Sequence, residues 1–192
     1  MTAINFSAVL LAGGESRRMG QDKATIRSRD RPLWEHQLDL LRKLEPEMLL
    51  VSARIDPPWR PASVEFVPDA HPSLGPLGGI GAALARITSD HLLVLAVDMP
   101  FVTPGYLRGL FQHAGSGRGV VPIIENRAEP LAAIYPREAC IDFADALSGT
   151  DFSLQPLVAK LTADGKLQPI QVSGDDKALF RNLNEPADLV IG

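Results

Sequence analysis

The sequence predicts an α/β protein whose central sheet is mostly parallel and partly mixed. In the first half of the chain, apolar strand-like runs alternate with helical patterns, and one run, 92–97, is continuously apolar. Such a run is typical of a parallel strand that helices cover on both faces. In the second half, strand-like runs at 119–123 and 130–135 follow one another without a helix between them. That order indicates that some strands run antiparallel.

The elements follow in order from local patterns. An apolar run at 6–12 ends in two glycines, which predicts a buried strand and an abrupt turn. Apolar residues between 33 and 44 recur with the spacing of an amphipathic helix. The further predicted strands are 47–53, 64–67, 91–97, 119–123, 130–135 and 167–172. The further predicted helices are 79–87, 104–113, 137–147, 153–161 and a short one that begins at Pro186.

Composition and charge favour a single domain over residues 1–192. The 192 residues are 45% apolar and 22% charged, which suffices for one sizeable core. A net charge of −4 with scattered signs argues against nucleic-acid binding. No signal-peptide pattern opens the chain, and no apolar stretch approaches the ~20 residues that span a bilayer. We therefore expect a soluble, cytoplasmic monomer that binds neither nucleic acid nor membrane.

Cysteine and histidine usage argues against a thiolate or zinc site. Cys140 is the only cysteine, so neither an intrachain disulfide nor a thiolate cluster can form. The four histidines lack paired helical spacing and cysteine partners.

The segment 11–23 carries the first functional prediction. Its adjacent glycines, Gly13 and Gly14, let backbone N–H groups approach an anion without an intervening side chain. Arg18 and Lys23 add positive charge, and this set of donors suits the phosphates of a nucleoside triphosphate. The spacing matches neither a P-loop nor a dinucleotide-binding fingerprint. A solvated surface loop without a ligand is the alternative interpretation.

Two carboxylates follow predicted strands and could complete the site. Asp98 comes directly after the continuously apolar run, where it could bind a phosphate-bound Mg²⁺. Its alternative role is to cap the turn that follows. Asp69 begins a second glycine-rich loop, 69–79, which contains Gly78 and could bring backbone groups against a base or a ribose. Asp69 could equally form an Asx turn.

Taken together, these segments resemble the molybdenum cofactor guanylyltransferases. The family pattern Leu-Ala-Gly-Gly-x-Ser-x-Arg-Met-Gly-x-Asp-Lys is matched at every specified position from Leu11 to Lys23. Shorter matches follow in order at 23–26, 31–34, 75–80, 98–100, 129–131 and 182–186. The resemblance therefore spans nearly the whole chain.

The resemblance implies a three-layer, Rossmann-like nucleotidyltransferase fold and a reaction in which Mg²⁺ and GTP are used to attach GMP to molybdopterin, with release of pyrophosphate. It also implies delivery proteins for the cofactor and molybdoenzymes that accept it. Matching positions place the nucleotide on Leu11, Ala12, Gly13, Lys23, Asp69 and Asp98. We expect Gly14 and Gly78, from the two glycine loops, to contact it as well.

The catalytic residues that we predict are Arg18, Lys23 and Asp98. Arg18 and Lys23 would neutralise charge on the leaving pyrophosphate, and Asp98 would hold the metal ion. By resemblance, Asn182 and Asn184 lie on the molybdopterin side of the cleft. Their alternative role is to form a turn before the next proline.

Base choice and substrate class stay open at this point. Relatives often carry asparagines after the second strand that help to seat the nucleotide, whereas this chain reads Val51-Ser-Ala-Arg54. Related cytidylyltransferases tend to have alanine where this chain has Gly13, which favours guanine by resemblance. The alternatives are a cytidylyltransferase for the same cofactor, a sugar-phosphate type of nucleotidyltransferase, and a nucleotide-binding module without catalysis.

Overall fold

The computed structural model describes residues 4–13, 23–28, 30–69 and 74–182. Within them, an eight-stranded sheet has helices on both faces, and a two-stranded hairpin lies apart from it. The strands are β1 (Phe6–Leu11), β2 (Arg27–Ser28), β3 (Arg31–Pro32), β4 (Leu49–Ala53), β5 (Glu65–Pro68), β6 (His91–Ala96), β7 (Gly119–Ile124), β8 (Arg127–Ala128), β9 (Ala132–Pro136) and β10 (Leu167–Gln171).

The α-helices are α1 (Leu33–Arg42), α2 (Pro76–Arg86), α3 (Pro104–Phe111), α4 (Cys140–Leu147) and α5 (Leu154–Ala163). Short 3₁₀ helices cover Lys23–Thr25, Arg137–Ala139 and Asp175–Phe180. In the described ranges, no helix combines the length and the apolar character that a bilayer crossing requires.

The strand order in the large sheet is β10-β7-β9-β6-β1-β4-β5, with β8 paired to β7. β5, β4, β1 and β6 are mutually parallel, and β10 is parallel to β7. β9 is antiparallel to β6 and β7, and β8 is antiparallel to β7. The prediction of a mostly parallel, partly mixed sheet is therefore confirmed.

Side chains of β1 alternate between the two faces of the sheet, as the strand period requires. Ala8 and Leu10 belong to a core cluster with α1 and α3, whereas Val9 and Leu11 belong to a second cluster with α2, α4 and α5. β6 is buried along its whole length because it packs against both layers of helices. The three-layer arrangement implied by the resemblance is present, and it accounts for the apolar run at 92–97.

Differences from the predicted elements lie mainly at element ends. α2 begins at Pro76 rather than at residue 79, because proline suits a first helical turn and Gly75 adopts a positive φ of 61° just before it. The predicted helix at 137–147 is a 3₁₀ turn followed by α4. β2, β3 and β8 are additional strands of two residues each, too short to show a periodic pattern. The predicted helix from Pro186 lies outside the described residues.

An ion-pair cluster connects α4 to α5 and to the turn before β10. The side chain of Asp142 is only 6% exposed, and its two carboxylate oxygens accept hydrogen bonds from Nζ of Lys160 and Nζ of Lys166. Burial by itself raises the pKa of Asp142, but the two hydrogen bonds together outweigh burial and lower the pKa from its ordinary 3.8. The cluster therefore stabilises the folded chain above that ordinary pKa, and this stability is lost as the pH falls through the lowered value.

The variant Asp142→Asn should lose both ion pairs while keeping the size of the side chain. We expect its free energy of unfolding near neutral pH to fall by about 1 kcal/mol, a modest loss because water screens the half-exposed Lys160. Urea unfolding from about pH 6 down to about pH 2 measures the pH dependence, and the difference from wild type should shrink toward the acid end. A difference that stays constant over this range would contradict the linkage.

Candidate functional site

A cleft of about 150 Å³ opens at the carboxyl ends of β1, β4, β5 and β6. After β1, the chain passes through α1 to β4, which lies on one side of β1 in the sheet. After β5, it passes through α2 to β6, which lies on the other side of β1. This is the switch point at which open α/β sheets bind ligands. Residues that line the cleft include Leu11, Gly13, Lys23, Asp69, Gly79 and Asp98.

Lys23 and Asp98 form an ion pair in this cleft. Nζ of Lys23 donates a hydrogen bond to Oδ2 of Asp98 over 2.8 Å, and the two side chains are 17% and 20% exposed. Lys23 lies in the first 3₁₀ helix, and Asp98 lies two residues beyond β6. The fold thus brings together two charged groups that are 75 residues apart in the chain, and both side chains remain partly exposed.

Asp69 follows β5 directly and is held by β4. Oγ of Ser52, a residue only 1% exposed, donates to Oδ1 of Asp69 over 2.6 Å. The backbone N–H of Asp69 donates to the carbonyl oxygen of Ala53 over 3.0 Å. Both contacts fix the carboxylate of Asp69 at the edge of the sheet that faces the cleft.

Two glycines border Asp69 where a larger residue would not fit. A Cβ atom on Gly13 would lie 2.6 Å from Oδ2 of Asp69. A Cβ atom on Gly79 would lie 2.8 Å from Oγ of Ser52 and 3.1 Å from Oδ1 of Asp69. These distances are shorter than van der Waals contact, so the absence of a side chain at both positions lets Asp69 keep its place.

The other predicted nucleotide-binding residues are placed as follows. Leu11 and Ala12 are buried at the carboxyl end of β1, and the N–H of Ala12 donates to the carbonyl oxygen of Ser52 over 2.8 Å. Gly78 is buried in the first turn of α2, next to the cleft-lining Gly79. Three predicted site residues lie outside the described residues: Gly14, Arg18 and Asn184.

Asn182 is exposed at the end of the described chain, beyond the last 3₁₀ helix. The segment just before it packs against the α3 region, because the guanidinium of Arg181 lies 6.0 Å from the ring centre of Phe101. The rings of Phe180 and Tyr106 also meet edge to face at 5.2 Å. Since Phe101 follows Asp98 by three residues, these contacts bring the chain before Asn182 toward the Asp98 turn.

Two polar residues near the site were not predicted from the sequence. Ser52 stood out only because it occupies a segment in which relatives often have asparagine. Gln37 is fully buried in α1, and its Nε2 donates to the carbonyl oxygen of Met99 over 2.7 Å. The sequence signal that could have shown its burial was its position four residues from both Leu33 and Leu41, on the buried face of the helix.

The fold has a mostly parallel sheet covered by helices, and the carboxyl ends of its strands carry a lysine–aspartate pair and a carboxylate beside two glycines. This is the arrangement of a Rossmann-like nucleotidyltransferase. The family model of the MobA-like NTP transferase domain matches residues 8–165, and the chain belongs to that family. It is an enzyme of the nucleotidyltransferase class, as the resemblance implied.

Individual relatives agree with this assignment. The chain is 35% identical over 185 residues to a probable molybdenum cofactor guanylyltransferase of Opitutus terrae. The match covers 95% of this chain and 92% of the relative. It is 32% identical over 185 residues to the molybdenum cofactor guanylyltransferase of Syntrophotalea carbinolica, with 95% and 88% covered.

Among solved structures, the chain is similar to molybdopterin-guanine dinucleotide biosynthesis protein A from Archaeoglobus fulgidus. The TM-score is 0.77 at 25% identity, and the match covers 95% of this chain and 94% of the other. A nucleotidyl transferase from Methanothermobacter, 18% identical, has the same fold, with a TM-score of 0.75 over 96% of this chain and 94% of the other.

The variant Gly13→Ala should push the carboxylate of Asp69 out of place, because its Cβ would lie 2.6 Å from Oδ2. We expect the affinity for GTP to fall by about tenfold, the loss typical of one hydrogen bond to a charged group. Isothermal titration with GTP and Mg²⁺ measures the change. Gly109→Ala in α3 is the matched control, since nothing lies within 4 Å of its added Cβ. Equal affinities for the two variants would contradict a role of Asp69 in nucleotide binding.

Proposed function

We propose that this chain transfers GMP from GTP to molybdopterin, giving the guanine dinucleotide form of the cofactor and pyrophosphate. The observation that carries the proposal is the ion pair of Lys23 and Asp98 in a cleft at the carboxyl ends of β1 and β6. Further support comes from the guanylyltransferase relatives, whose similarity extends over 95% of this chain. The proposal treats residues 1–192 as one nucleotidyltransferase domain.

The chemical step would be in-line attack by the terminal phosphate oxygen of molybdopterin on the α-phosphorus of GTP. A new P–O bond forms as the bond from the α-phosphorus to the bridging oxygen breaks, and pyrophosphate leaves with the electron pair. Lys23, together with Arg18, would neutralise the negative charge that develops on pyrophosphate. No covalent intermediate with the protein is needed, so positioning and charge neutralisation supply the catalysis.

Asp98 fits a site for Mg²⁺ in the nucleotide complex. Its carboxylate is partly exposed to the cleft, and Lys23 contacts only one of its oxygens, Oδ2. Mg²⁺ commonly binds one or two carboxylates and takes its other ligands from substrate phosphates and water. When bound, the ion would neutralise phosphate charge and orient the α-phosphate.

Lys23 would change partners when the nucleotide binds. In the structure its ammonium donates to the carboxylate of Asp98 over 2.8 Å. With GTP bound, a phosphate oxygen would accept the hydrogen bond of Lys23, while the metal ion would compensate the charge of Asp98. The pair therefore keeps the two charges in place until substrate replaces their contact.

Asp69 and the glycine segments would hold the guanosine part of GTP. A carboxylate only accepts hydrogen bonds, and guanosine offers N–H groups on its base and hydroxyl groups on its ribose. Oδ1 of Asp69 is already oriented by Ser52, so Oδ2, which faces Gly13, would accept from the nucleoside. Backbone groups of Leu11, Ala12, Gly13, Gly14 and Gly78 would complete the nucleotide contacts.

The acceptor would bind on the side of the cleft near Phe180 and Arg181. Asn182 and Asn184 would contact molybdopterin there, since the segment ending at Arg181 packs near Phe101 and the Asp98 turn. The proposal also includes a cytoplasmic monomer, delivery proteins that supply molybdopterin, and molybdoenzymes that receive the finished cofactor.

The variants Lys23→Ala and Asp98→Ala should each lower kcat by about 10²–10³, the usual loss for one group that stabilises transition-state charge. Pyrophosphate release from GTP, Mg²⁺ and molybdopterin measures the effect. Arg86→Ala is a control, since Arg86 pairs with Glu65 at the amino end of β5, away from the cleft. Near-normal turnover in the first two variants would contradict the roles of Lys23 and Asp98.

The same assay with other substrates separates the alternative functions. Pyrophosphate release with CTP instead of GTP would identify a cytidylyltransferase, and release with a sugar phosphate as acceptor would identify a different acceptor class. GTP binding without pyrophosphate release would favour a binding module. We expect GTP and molybdopterin to give the highest kcat/KM.

A further inference from the structure

We propose that Gln37 is a positioning residue that sets the place of Asp98 relative to Lys23. The inference rests on the proposed function, because it concerns the carboxylate that would hold the metal ion. Gln37 does not line the cleft, so it would act through the backbone of the turn that carries Asp98.

Gln37 holds both ends of that turn. Its Nε2 donates to the carbonyl oxygen of Met99 over 2.7 Å and lies 3.4 Å from the carbonyl oxygen of Ala96. These two residues bracket Asp98 in the chain. The NH₂ group must face them, because carbonyl oxygens only accept hydrogen bonds.

The turn has only weak backbone hydrogen bonds of its own. The N–H of Met99 lies 3.4 Å from the carbonyl oxygen of Ala96, and the N–H of Val102 lies 3.4 Å from that of Met99. Such long contacts constrain a turn weakly. Among the described residues, the 2.7 Å hydrogen bond from Gln37 is therefore the shortest one to the backbone of the turn beyond Val97.

Packing alone does not account for a glutamine at this position. Gln37 is fully buried, and within the described part of the chain its Oε1 has no hydrogen-bond partner. A buried acceptor without a partner destabilises the fold, and an apolar side chain of the same length would avoid that cost. The amide is instead explained by what its nitrogen does for the Asp98 turn.

The same helix also supports Lys23. The N–H of Leu33, one turn before Gln37 in α1, donates to the carbonyl oxygen of Ile26 over 2.9 Å. The N–H of Ile26 in turn donates to the carbonyl oxygen of Lys23 over 3.2 Å. α1 therefore links the backbone at Lys23 to the backbone of the turn that carries Asp98. Within α1, Gln37 is the residue that contacts this turn.

The variant Gln37→Met tests the positioning role. Methionine has a similar length but no N–H donor, and it also removes the unpartnered oxygen. The measurement is the affinity for GTP alone and for Mn²⁺–GTP, the latter from the water-proton relaxation that bound Mn²⁺ enhances. We expect the gain in affinity that the metal provides to fall by about tenfold or more, the usual effect of displacing a metal ligand through its supporting contacts. Affinity for GTP alone should stay near the wild-type value.

Gln155→Met is the matched control, because Nε2 of Gln155 likewise donates from a helix, α5, to a backbone carbonyl, that of Ala128, over 2.9 Å. It should leave the metal-dependent gain unchanged. If Gln37→Met does not fold, Gln37→Asn, whose amide is too short to reach Met99, should show the same loss. The positioning role would be overturned if the folded variant kept the wild-type gain in GTP affinity from Mn²⁺. It would also be overturned if the variant lost affinity equally for GTP and for Mn²⁺–GTP.

Failure of this inference is distinguishable from failure of the proposed function. If wild-type protein releases no pyrophosphate with GTP and molybdopterin, the proposed function fails, yet a selective loss of Mn²⁺–GTP affinity in Gln37→Met still supports the positioning of Asp98. If wild-type protein is active and Gln37→Met retains both its metal-dependent affinity and its kcat, the positioning role fails alone.

Discussion

The ion pair between Nζ of Lys23 and Oδ2 of Asp98 joins two distant segments where the central strands end. Partly exposed ion pairs contribute little to stability, since water screens their attraction. Their position is therefore more informative than their energy. Here the pair places one cation and one carboxylate in a cleft at the carboxyl ends of parallel strands, which is where open α/β sheets bind ligands.

The sheet determines which residues can meet this pair. β1 lies between β4 and β6, so Gly13, the end of β4 and the Asp98 turn all open onto one edge. On the β5 side of that edge, Ser52 orients Asp69, while Gly13 and Gly79 leave room for its carboxylate. We propose that phosphates and a metal ion bind on the side around Asp98 and the nucleoside on the side around Asp69.

Much of this arrangement could be predicted from sequence patterns that are local. The apolar run at 92–97 predicted a strand covered on both faces, and the position of Asp98 directly after that run placed it at the carboxyl end of a strand. Ser52 and Gln37 could not be assigned this way, because their partners are 17 and 62 residues away along the chain. The roles of all the predicted site residues stay predictions, and Gly14, Arg18 and Asn184 also lie outside the described part of the chain.

A double-mutant cycle on kcat most directly tests whether Lys23 and Asp98 act as one unit on the phosphates of GTP. The single variants Lys23→Ala and Asp98→Ala are compared with the double variant in pyrophosphate release from GTP and molybdopterin. The losses of kcat caused by mutating groups that act together are strongly non-additive. The double variant should therefore have about the same kcat as the less active of the two single variants. A double variant whose loss equals the product of the two single losses would contradict a shared role, because it would show that the two groups act independently.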